Sequence, residues 1–88
     1  MTLADRFHSA VEMAVAEKRE IWRIESYTVS GLEAMISFRS RSGKSGTTSF
    51  FKITDSGDLT GCGPYGNAII MLPIIRKYMD ELTEVSVS

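Results

Sequence analysis

Leu3, Phe7, Val11, Ala14 and Lys18 recur at spacings of four, four, three and four, and Ala10 and Val15 widen the stripe. Asp5, Arg6, Glu12, Glu17 and Glu20 fall largely outside it. That period predicts an amphipathic helix over residues 3–19 with one buried face. Thr2 followed by Asp5 resembles a capping box, in which the hydroxyl accepts from the third helical amide while the carboxylate reaches back. From Ile21 the period shifts toward two. "IWRIESYTV" mixes Trp, Tyr and β-branched residues with Arg23 and Glu25, and predicts a strand over 21–29. After Ser30-Gly31, "AMISFRS" puts Ala34, Ile36 and Phe38 on one face of a strand over 34–40, with Met35, Ser37 and Arg39 on the other. The Gly/Ser-rich stretch 40–46 separates it from "TTSFFKIT", a strand over 47–54, so the two form an antiparallel hairpin. Asp55-Ser56-Gly57-Asp58 is a further turn signal and leaves room for a short fourth strand over 59–62.

The run "GCGPYGN" then reads as a loop that offers Asn67 as an N-cap for a second helix over 67–83. Met71, Ile75, Tyr78, Met79 and Leu82 make one face of it. Pro73 fits poorly inside a continuous helix, which implies either a bend there or a helix that starts at the proline. Residues 84–88 read as a frayed tail. The element order predicts a single α+β domain over residues 1–88: helix, three- or four-stranded antiparallel sheet, helix, in two layers.

The second helix raises a functional expectation. Ile69, Ile70, Leu72, Ile74 and Ile75 spread apolar surface around its first turns, and a thin two-layer domain of 88 residues covers a helix on one side only. Surplus apolar surface of this kind marks a partner contact. The expectation is a non-enzymatic protein-interaction module, binding another protein or a second copy of itself through this helix or an open sheet face.

Charge adds an alternative. Net charge is −1, but residues 34–54 carry Arg39, Arg41, Lys44 and Lys52 with no acid, between two acidic segments. This basic hairpin, residues 39–52, is the candidate contact for nucleic acid or another polyanion. It contains GKSGTT, yet the residue five before Gly43 is Phe38 rather than glycine, and strand-like residues follow where a phosphate-binding loop enters a helix. A nucleotide site is therefore not expected. Cys62 lies between two glycines ahead of the second helix, where helix amides favour a thiolate, but His8 is its only potential imidazole partner. Asp55 and Asp58 are turn residues first. One cysteine and one histidine are too few for a structural zinc, so neither metal nor cofactor is expected. No membrane span or signal-like segment is seen, and a cytoplasmic accessory protein, bacterial or phage, is the expected setting.

Overall fold

A computed structural model describes residues 2–39, 46–63 and 67–87, with side chains to Leu82. Its elements run α1 (Leu3–Lys18), β1 (Ile24–Ser30), β2 (Glu33–Arg39), β3 (Gly46–Ile53), β4 (Leu59–Cys62) and α2 (Asn67–Val87). The four strands form an antiparallel sheet in sequence order, β1-β2-β3-β4, open at both edges. The α+β order expected from the pattern is the one observed, with the fourth strand present.

The capping box at the start of α1 is complete. Asp5 N donates to Thr2 Oγ1 at 3.1 Å and Thr2 N to Asp5 Oδ2 at 3.3 Å. Hydrogen bonding to Thr2 holds the Asp5 carboxyl below its ordinary value. Phe7, Ala10, Val11, Ala14 and Val15 are all enclosed, as their spacing implies. Beyond Lys18 the chain differs from the pattern. Residues 19–23 form turns, and the strand begins at Ile24 rather than Ile21. The cause is the reversal needed after α1: Arg23 takes a left-handed conformation, φ 52°, and Ile24 N closes back onto Arg19 O at 2.9 Å. Ile21 and Trp22 are left exposed by it.

β1 and β2 are joined through Gly31-Leu32. Ser30 pairs with Glu33, and Gly31 has φ 60°, the positive value that the first central residue of a tight hairpin turn takes. Gly57, φ 93°, closes the turn at 54–58, where Asp58 N donates to Thr54 Oγ1 and Thr54 N to Asp58 O. Antiparallel pairing then assigns each side chain to a face. Ala34, Ile36, Phe38, Phe51, Ile53 and Leu59 point inward and are enclosed. Both helices lie on that side, with α1 against α2 and over β1, and α2 over β3 and β4.

α2 contributes Ala68, Met71, Ile75 and Met79 to the core, a stripe of spacing three, four and four. It runs continuously from Asn67 through Val87, with Pro73 inside it, so the helix neither starts at the proline nor ends at 83. Pro73 sits on the exposed side, where its missing N–H leaves the Ile69 carbonyl to water rather than to the core. The two helices are also joined by polar side chains. Glu17 Oε1 accepts from Lys77 Nζ at 2.9 Å and from the Tyr78 hydroxyl at 2.5 Å.

Candidate protein-interaction face

Helices cover one face of the sheet, and among the described residues nothing covers the other. Register places its outward side chains in rows. Thr28, Met35, Phe50 and Cys62 form the central row, each beside its cross-strand partner. Toward one end Ser30, Glu33, Lys52 and Thr60 form the next row. Toward the other end Ser26, Ser37 and Thr48 follow, with Ser37 Oγ and Thr48 Oγ1 hydrogen-bonded at 3.2 Å. Arg39, at the far end, donates to Glu25 Oε1 at 3.5 Å.

Met35 is 44% exposed and Phe50 50% exposed, large for apolar side chains in the middle of a sheet. With Thr28 and Cys62 they floor an open concavity of about 530 Å³. An apolar centre between mixed charges and hydroxyls is the anatomy of a protein-binding patch. Its titratable lining groups are the cross-strand neighbours Glu33 and Lys52, and Cys62. Cys62 is exposed on this outer face, whereas His8 is on α1, behind the sheet, bonded to Glu12 at 3.0 Å. Among the described residues no group of His, Cys, Asp or Glu is arranged to hold a metal, and no helix is long and apolar enough to cross a membrane.

The α2 candidates separate. Ile75 is fully enclosed and has no surface to offer a partner, a correction to the expectation that grouped it with the others. Leu72 and Ile74 pack against the core; Leu72 lies over β4, so near that a methyl on Gly61 would meet its Cδ2 at 3.3 Å. Ile70 is half-buried, and Ile69 stands 74% exposed. One continuous helix with a buried stripe encloses Ala68, Met71 and Ile75 and leaves Ile70, Leu72 and Ile74 half-buried, while Met35 and Phe50 stand exposed together on the sheet. Alternation in β2 already set Met35 apart from Ala34, Ile36 and Phe38. The adjacent pair Phe50-Phe51 carried a second signal, because neighbours in a strand face opposite ways and one ring had to point outward.

Of the basic hairpin candidates, the two described ones, Arg39 and Lys52, do not converge. Arg41 and Lys44 lie outside the described residues. Arg39 and Lys52 are exposed at opposite ends of the hairpin, six residues apart in register, which is about 20 Å along a strand. Each has an acid beside it, Glu25 for Arg39 and the cross-strand neighbour Glu33 for Lys52. From Gly46 the chain is strand β3, not the helix that a phosphate-binding loop enters. No protein-family model, no curated protein and no solved structure matches this chain.

Proposed function

We propose that the protein is a non-enzymatic interaction module that binds protein through the uncovered face of its sheet. The observation that carries this reading is the pairing of Met35 and Phe50, two large apolar side chains half-exposed at the centre of a sheet whose other face holds the whole core. Burying both on a partner removes apolar surface from water at about 25 cal/mol per Å², and flat aromatic and thioether side chains are favoured at such centres. The edges are poorer contacts. β4 has four residues, and β1 carries a register shift between Ile24 and Ser26, two devices that blunt strand addition.

Photo-crosslinking from the face tests the reading. A benzophenone amino acid replaces Phe50 in the native host, and a control replaces His8, on α1 behind the sheet. The expected result is a protein adduct, with this chain or another, from position 50 and none from position 8. Adducts to nucleic acid alone would favour polyanion binding by Arg39, Arg41, Lys44 and Lys52 instead, and equal adducts from both positions would remove the face as the contact.

A further inference from the structure

Resting on the reading that the open sheet face binds protein, we infer that its partner is a second copy of this chain, packed face to face about a two-fold axis that runs parallel to the strands between β2 and β3. The order of residues on the face carries this. A two-fold axis in that direction lays β3 of one copy over β2 of the other and β4 over β1, level by level. Glu33 then meets Lys52 of the second copy, Met35 meets Phe50, Ser37 meets Thr48, and Thr28 meets Cys62. These three levels pair like with like in polarity and opposite with opposite in charge. The two Glu33 to Lys52 contacts, one from each copy, lie side by side at one end of a centre of two Met35 to Phe50 stacks, a thioether-on-ring contact that is favourable in itself.

The competing in-plane axis, perpendicular to the strands, is worse. Placed at the level of Ile36 and Ser49 it brings Glu33 over Arg39 but sets Met35 on Ser37 and Phe50 on Thr48; placed at the level of Met35 and Phe50 it keeps the apolar contacts but sets Glu33 on Ser37 and Lys52 on Thr48, so neither placement satisfies the apolar pair and the charges together. Four strands about 4.8 Å apart and six residues long give a face of about 400 Å², so two such faces bury about 800 Å² in all, below the roughly 1,000 Å² of a stable interface and in the range of a weak, reversible dimer. Aligned sheets pack about 10 Å apart, a gap that Met and Phe side chains fill.

Charge reversal in two separate chains tests the arrangement. In a Glu33→Lys homodimer both members of each facing pair are cationic, and in a Lys52→Glu homodimer both are anionic. Mixed one to one, every facing pair is opposite in sign. Sedimentation equilibrium at low salt, from about 10 to about 500 µM, should show wild-type mass rising from 9.8 kDa toward twice that value. Each variant alone should associate at least about tenfold more weakly. Their mixture should recover the wild-type affinity, a recovery that cannot arise within one chain because each chain keeps its like-charged pair. Far-UV circular dichroism confirms that both variants are folded. On the wild-type chain, alkylation of Cys62 should slow as concentration rises, since Thr28 of the second copy covers it.

A wild-type monomer at the highest concentration, a mixture that stays as weak as its components, or a concentration-independent alkylation rate would overturn the dimer. A crosslink from position 50 to a different protein, together with a monomeric chain, would defeat the dimer and leave the interaction face standing. No protein adduct from position 50 would defeat both.

Discussion

Ser49 shows how one residue is read from its surroundings. It points inward from β3, opposite Ile36, is fully buried, and its hydroxyl has no hydrogen-bond partner among the described residues. A buried hydroxyl without a partner is a cost to stability. What the position needs is small size, because Gly63 lies against it: a methyl on Gly63 would come within 2.9 Å of the Ser49 Cα. Ser49→Ala is therefore expected to leave stability unchanged or raise it by up to about 1 kcal/mol, read from the urea midpoint. Gly63→Ala is expected to lower it by about 1–3 kcal/mol, since backbone must shift to admit the methyl. The opposite ranking of the two variants would show that the hydroxyl does have a partner. None of this was legible in the sequence, where a serine between threonines and phenylalanines reads as any strand residue. Its burial follows from which face of β3 the helices cover.

Among elements, the periodic ones were the most legible. α1 was readable because a capping box and an apolar stripe of constant spacing agree on one helix, and Phe7, Val11 and Ala14 are enclosed as that spacing requires. The pattern places the β1 start too early because Ile21 and Trp22 have strand-forming side chains, while the turn is set by Arg23 in a conformation no composition rule marks. The sequence leaves the α2 boundary open because a proline at position 73 reads as an interruption. In the fold its ring faces solvent and the helix continues through it. Tertiary packing of Ala68, Met71, Ile75 and Met79 outweighs the missing hydrogen bond.

The contact between α1 and α2 carries a pH prediction. The Glu17 carboxyl is held below its ordinary value of 4.5, mainly by the hydrogen bond from Tyr78 and next by the one from Lys77. Lys77 and Tyr78 are both raised above their ordinary values of 10.5 and 10.0, in each case first through hydrogen bonding to Glu17. Because the folded carboxyl is the stronger acid, its stabilisation is complete above pH 4.5 and disappears as pH falls through the lower folded value. The raised Lys77 and Tyr78 stabilise below about pH 10 and lose that contribution as pH rises beyond it. Urea unfolding of Glu17→Gln across pH 3 to 11 should accordingly lie below wild type near neutrality, meet it in acid, and show a shallower alkaline fall. Parallel curves for the two proteins would mean that the three side chains are not coupled in solution.

At the scale of the whole molecule, the chain is a slab 18 Å through its shortest dimension, the thickness of one sheet and one helix layer. Two layers give a sheet only one covered face. The sequence carried that inference in part: it held more apolar side chains than a thin domain hides, and the surplus was assigned to α2. Ile75 is enclosed there and Ile70, Leu72 and Ile74 are half-buried, while the exposed large apolar side chains are Ile69 on α2, Met35 and Phe50 on the sheet, and Met13, Ile21 and Trp22 at and after α1. Strand pairing could not be read from periodicity alone, and pairing is what brings residues 28, 35, 50 and 62 into one row.

Phe50→Glu measures the consequence most directly, with stability by urea unfolding and association by sedimentation equilibrium on the same sample. Phe50 supports no core contact in this account, so unfolding free energy should stay within about 1 kcal/mol of wild type while self-association disappears. A chain that unfolds, or one that remains folded and associates as wild type does, would contradict it.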